Sequence, residues 1–166
     1  DFTLNQPCEV YGLVMAPNWG SGKNLFAGGN GITFGIRQIT SSPLIQLSPA
    51  AATVSLPLNE YHVIFGRLSA TFGQDLISVD YETPGAGDAG TSNPSGFTIG
   101  GNYTGSTGVI GSKHVMYIVR NVESTSQDRL AIIDYLTKFR DFFFNTLTID
   151  TENITIDTEN ITIDTQ

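Results

Sequence analysis

Hydrophobic and polar positions alternate along most of this chain with a period of two, and Gly, Pro and Asn cut the alternation at short intervals. Period two marks strands whose two faces meet different surroundings. Phe2-Thr3-Leu4 predicts a short strand and Cys8 to Met15 a longer one. In the longer one Val10 and Val14 alternate with Tyr11, Leu13 and Met15, so both faces are partly apolar, which suits a strand inside a two-sheet sandwich. Ala16 to Lys23 reads as a loop. Leu25-Phe26-Ala27, the turn Gly28-Gly29-Asn30-Gly31 and Ile32 to Ile39 read as a hairpin. Leu44 to Leu47 and Thr53 to Leu56, bounded by Pro43, Pro49 and Pro57, predict two short strands, and Tyr61 to Leu68 with Leu76 to Tyr81 predicts the next pair. Thr83 to Gly96 is expected to be a long loop, followed by strands at Gly96 to Gly101 and His114 to Val119.

The period changes once. Leu130, Ile133 and Leu136, with Ile132, Tyr135 and Phe139, form a stripe of helical spacing. Ser124-Thr125-Ser126-Gln127 has the spacing of a capping box, with Ser124 as expected N-cap, and Lys138 and Arg140 are placed to complement the dipole at the other end. The expected fold is an all-β, two-sheet antiparallel jelly-roll sandwich with one C-terminal amphipathic helix.

Composition narrows the function classes. Only 14% of residues are charged and the formal net charge is −8, which excludes nucleic acid, since phosphate binding needs clustered Lys and Arg. No apolar run approaches the ~20 residues of a membrane span, so no membrane insertion is expected. The single cysteine, Cys8, cannot form an intrachain disulfide and reads as a small buried hydrophobe rather than a nucleophile. Few charges without disulfides point to an extracellular or virion surface, from a bacterial or viral source. A chain starting at Asp1 reads as processed or excised from something longer.

Asn59-Glu60-Tyr61-His62-Val63, then Leu76 to Asp80, then Gly96-Phe97-Thr98-Ile99-Gly100-Gly101, and finally Ser126 to Leu136 follow one another in a recognisable order. Over residues 2 to 140 that order resembles the concanavalin A-like, laminin G-like jelly-roll superfamily. Tyr61 stands where the family often has Trp, and Tyr81 where it often has Gly. The superfamily includes lectins, adhesion modules, glycosidases and virion parts, so the resemblance implies a fold rather than one activity.

Paired carboxylates along one strand, which a retaining glycosidase needs about 5 Å apart, are not found as a motif. Asp80 and Glu82 are expected on one strand face at i, i+2, as like-charged neighbours on a wet surface. His62 is expected to pack at a sandwich edge, and neither it nor His114 has metal-ligand spacing. The candidate ligand-binding residues are Trp19 and Tyr103, aromatic residues in polar loops, with Asn102, Asp88 and Asn93 as polar partners. No cofactor is expected; Asp80, Glu82 and Asp88 are the oxygen ligands a calcium ion would use.

The chain closes on a repeat: Leu147-Thr148-Ile149-Asp150-Thr151-Glu152-Asn153 recurs as Ile154 to Asn160 and again from Ile161. Apolar residues at i and i+2 and abundant β-branching predict a short strand per unit, not a coiled coil. One rung buries nothing alone, so residues 147 to 166 are expected to drive self-association, with a trimer favoured. Two segments are expected: a jelly-roll domain over 1–144 and a repeat tail over 145–166. The expected function is a non-catalytic surface or virion module, such as a phage fibre or decoration protein, binding a glycan or cell-surface receptor through its loops. A purely structural fibre or filament protein and a glycoside hydrolase with atypical carboxylates are the alternatives.

Overall fold

The computed structural model describes residues 4–29, 35–39, 43–48, 53–90, 92–101, 108 and 111–144. Phe2, Thr3, Asn102, Tyr103 and the repeat over 147–166 lie outside the described residues. The elements in chain order are β1 (Cys8–Met15), β2 (Asn24–Ala27), β3 (Gly35–Ile39), β4 (Leu44–Ser48), β5 (Thr53–Ser55), β6 (Tyr61–Leu68), β7 (Asp75–Val79), β8 (Gly85–Gly87), β9 (Thr98–Ile99), β10 (Lys113–Arg120) and α1 (Ser126–Phe144).

The strands form two five-stranded sheets, ordered β10-β1-β6-β7-β8 and β5-β4-β3-β2-β9, and strands paired within each sheet run antiparallel. The all-β sandwich with a C-terminal helix is therefore present, and β2 and β3 pair antiparallel, while positions 30–34 of the expected hairpin lie outside the described residues. The first sheet is covered on both faces. Cys8, Val10 and Val14 of β1, with Ile64 and Leu68 of β6, face the second sheet and meet Phe26, Ile36, Ile45 and Leu47. Tyr11 and Leu13 of β1, with Val63 and Phe65 of β6, face the other way and meet Ile133 and Leu136 of α1. Two buried faces explain the apolar residues on both sides of Cys8–Met15, and each fully buried large side chain contributes about 1.5–3 kcal/mol. Gly12 interrupts β1 where the Tyr117 ring crosses it, since a Cβ there would lie 2.5 Å from Tyr117 Cε1.

Several expectations change. β7 ends at Val79, and Asp80 sits in a turn with φ of 48°, so Asp80 and Glu82 do not share a strand face. The long loop contains β8, paired with β7. Ser124 is not the N-cap: Thr125 Oγ1 accepts from the Asp128 amide at 3.1 Å and donates to Asp128 Oδ2 at 2.8 Å, so Thr125 caps the helix. The helix continues to Phe144, leaving no basic residue in its last turn. Its inward stripe includes Arg129, whose guanidinium lies 5.6 Å from the centre of the Phe65 ring, while Tyr135 is 56% exposed. No helix among the described residues is long and apolar enough to cross a membrane.

Candidate functional site

Strand β6 begins with Tyr61 and His62, and α1 ends beside them. The turn that follows β7 reaches the same place, because β6 and β7 are antiparallel neighbours. Together they open a groove of about 680 Å³. Asn59, Glu60, Tyr61 and His62 line one side, Asp80 the floor, and Arg140, Asp141 and Phe144 of the helix the other side.

Asp80 organises the groove. Its Oδ2 accepts from His62 Nδ1 at 2.7 Å, and its Oδ1 accepts from the Val63 amide at 2.9 Å and from Arg140 Nη1 at 3.1 Å. The Asp80 amide donates back to Val63 carbonyl oxygen at 2.7 Å, closing the turn. Asp is among the few non-glycine residues that adopt positive φ readily, so the backbone demand and the acceptor demand select the same residue. Burial works to raise the Asp80 carboxyl, but the His62 hydrogen bond, the Val63 amide and the His62 and Arg140 charges outweigh it and hold the group below its ordinary value.

His62 is 8% exposed, and its Nε2 has no hydrogen-bond partner; Glu60 Oε2 stands 3.9 Å away, beyond bonding distance. From the two sides of the groove, the Tyr61 and Phe144 rings stack on each other with centroids 4.2 Å apart and planes at 25°. Arg140 also donates through Nε to Asp141 Oδ1 at 2.9 Å. The groove thus combines an apolar ring face with a polar floor rich in acceptors, which can hold a ligand bearing hydroxyl or amine donors against a flat hydrophobic side.

Of the residues singled out from sequence, Asp80 lines this groove. Trp19 is half-buried and packs against the main core. Asp88 Oδ1 accepts from the Gly90 amide at 2.9 Å, and Asn93 Oδ1 accepts from the Gln6 amide at 2.8 Å. Gln6 Nε2 in turn donates to the carbonyls of Gly90 and Ser92, so Asp88 and Asn93 shape one loop. Glu82 is exposed. Asn102 and Tyr103 lie outside the described residues. Among the described residues no three His, Cys, Asp or Glu side chains gather as a metal centre requires.

Two buried carboxylates elsewhere act within the fold. Glu9, fully buried in β1, accepts from Tyr11 hydroxyl at 2.9 Å, from the Ser124 amide at 2.8 Å and from Ser124 Oγ at 2.6 Å. Asp75 accepts from the amides of Ser69 and Ala89, and burial above all, with the Asp88 charge, pushes its carboxyl above the usual range. Cys8 is buried as expected, and burial foremost, with the charges of Asp75 and Glu9, pushes its thiol up to about 12. Ellman's reagent is accordingly expected to leave Cys8 unlabelled in the native protein and to label it fully in denaturant. Rapid labelling without denaturant would contradict the closed core.

No protein-family model matches the chain, and no curated protein matches it. Solved structures do. The sialidase of Trypanosoma rangeli in complex with the inhibitor DANA superposes with a TM-score of 0.58 at 17% identity, over 76% of this chain and 22% of the sialidase. The same enzyme in complex with sialic acid gives a TM-score of 0.58 at 17% identity, over 78% of this chain and 23% of that one. The shared property is the fold: a sandwich of the kind found within sialidases. The chain spans less than a quarter of their length. The expectation that the protein is not an enzyme does not stand, because the solved structures it resembles are enzymes.

Proposed function

We propose that this chain is a saccharide-recognising sandwich, with its sugar seated in the groove between the start of β6 and the end of α1. The stacked Tyr61–Phe144 pair beside Glu60, Asp80 and Asp141 carries the reading. A pyranose presents an apolar C–H face that lies against the outer face of such an aromatic pair, and its edge hydroxyls donate to carboxylates. The likeness to sialidases, whose solved complexes contain sialic acid, supports a carbohydrate ligand. Placement in the concanavalin A-like superfamily belongs to the same reading and rests on the order of motifs from Asn59 to Leu136. Cleavage of a glycosidic bond in this groove is a second reading, favoured because the structural neighbours are sialidases.

The test is titration of the full chain with a panel of oligosaccharides, followed by NMR or calorimetry. Tyr61→Ala is expected to weaken binding about tenfold, the value of one aromatic contact, with an unchanged circular dichroism spectrum. Binding that survives Tyr61→Ala undiminished would place the sugar elsewhere, and a panel without any binder would end the saccharide reading. Fluorogenic glycosides assayed alongside decide the second reading: fluorophore release that disappears in Asp80→Asn supports cleavage, and absence of release opposes it.

A further inference from the structure

We infer that the edge of β10 turned away from β1 is an assembly surface, which takes the acidic seven-residue repeat of a second copy of this chain as an added antiparallel strand. The inference does not depend on the saccharide reading. It starts from the sheet edges. Among the described residues three of the four terminal strands are short: β5 and β8 have three residues each and β9 has two. β10, at the remaining edge, has eight, and β1 is its one partner among the described residues. Val115 within it is 37% exposed. A long edge strand presents a row of unpaired N–H and C=O groups, which a further strand satisfies. Lys113, exposed, and Arg120, with a side chain 36% exposed, stand at its two ends, seven positions apart.

The repeat fits this edge in spacing, charge and shape. Beyond Phe144 the sequence has five acidic residues, Asp150, Glu152, Asp157, Glu159 and Asp164, and no Lys or Arg. Asp150, Asp157 and Asp164 recur at the same seven-residue interval that separates Lys113 from Arg120. With Asp157 opposite Lys113 and Asp150 opposite Arg120, an antiparallel strand sets Ile154 beside Met116, which packs with the cluster under α1. Thr155 and Thr151 then fall beside Val115 and Val119, and Glu152 beside Ile118 is the poorest neighbour. A parallel strand instead sets Glu152 beside Val115 and Asn153 beside Met116. Two β10 strands paired antiparallel with each other would place Lys113 opposite Arg120, like charge against like.

The strand comes from another copy because of reach. Phe144 stacks on Tyr61, Tyr61 pairs with Met15 and Met15 with Lys113, so α1 ends at the Lys113 end of the sheet. Arg120 lies about 23 Å further along β10, at ~3.3 Å per residue. The six residues from Phe144 to Asp150 extend to about 22 Å at most, and they would also have to cross two strand spacings, about 10 Å. The chain's own first repeat cannot take this place, and its own second repeat could do so only by leaving the first unpaired.

The experiment is sedimentation of the full chain over a wide range of concentration, paired with amide hydrogen exchange. The chain is expected to self-associate, with a Kd that rises with salt. Lys113→Glu is expected to raise that Kd about 3- to 30-fold, since the reversed pair loses attraction and gains repulsion. Asp150→Lys, Asp157→Lys and Asp164→Lys made together should weaken association likewise, and adding Lys113→Glu to them should restore it. Lys113 is exposed, so its variant folds. The β10 amides directed away from β1 should exchange slowly only at concentrations where the chain associates. A chain that stays monomeric at every concentration would overturn the inference. Association indifferent to both sets of substitutions, or not restored by their combination, would overturn it as well. Protection of β10 that survives dilution to the monomer would mean that the chain's own residues cover the edge, and would overturn the second copy.

Discussion

Replacing Glu9 by alanine is expected to cost about 3–5 kcal/mol of folding stability, the loss typical of breaking a buried charged network from one side. The substitution strips an acceptor from three donors at once: Tyr11 hydroxyl, the Ser124 amide and Ser124 Oγ. All three lie in the interior, where water does not replace the lost partner. Arg120, whose Nη1 is 4.0 Å from Glu9 and donates to Ser124 Oγ at 2.8 Å, loses its counter-charge as well. Glu9→Gln keeps one acceptor oxygen and is expected to cost less, about 1–3 kcal/mol. Urea unfolding followed by circular dichroism measures both. Equal midpoints for wild type and Glu9→Ala would show that the network does not hold α1 to β1.

Asp80→Ala is expected to cost about 2–4 kcal/mol, from lost charged hydrogen bonds and from alanine placed at positive φ. Asp80→Asn tolerates the backbone and keeps an acceptor, so it should lose about half as much. The pH dependence has a definite sign. The carboxyl of Asp80 lies lower in the folded chain than in the unfolded one. Its contribution is therefore complete above the ordinary carboxylate range and is lost as pH falls through its depressed folded value. Asp75 works oppositely: its raised value means that the folded state binds the proton more readily, so its contribution improves as pH falls. The difference in stability between wild type and Asp80→Asn, measured from about pH 7 down to pH 3, should shrink towards the acid end. Parallel curves would remove Asp80 as the source of acid sensitivity.

How much of this was legible from sequence depends on the range over which each residue acts. Cys8–Met15 and Tyr61–Leu68 are read with their observed ends because their apolar positions record which faces are buried. The face covered by α1 is implicit in Tyr11 and Leu13, although the pattern alone does not say whether a sheet or a helix covers it. The groove was missed because its parts come from positions 60, 80 and 140, and periodicity carries no information about which ends meet. Asp80 was read as a strand residue on a wet face; the turn signals after it, Thr83-Pro84-Gly85, were the available clue that the strand stops early. Glu9 had no signal, since a lone carboxylate in a strand reads as solvated until Ser124, far along the chain, is seen to close over it. Ser124 was taken for a cap because a serine two residues before a helix looks the same whether its hydroxyl faces the first turn or a buried carboxylate.

The attachment of α1 is unequal at its two ends. Ser124 sits in the protein interior against Glu9, whereas Arg140 meets Asp80 at the wall of an open groove. A ligand that competes for Asp80 would loosen the far end and leave the near end fixed. The helix would then pivot about Ser124, with Phe144 travelling the greatest distance and Ile133 and Leu136 rolling on Val63 and Phe65. Occupancy at the groove would be converted into an angle of the helix, read at Phe144.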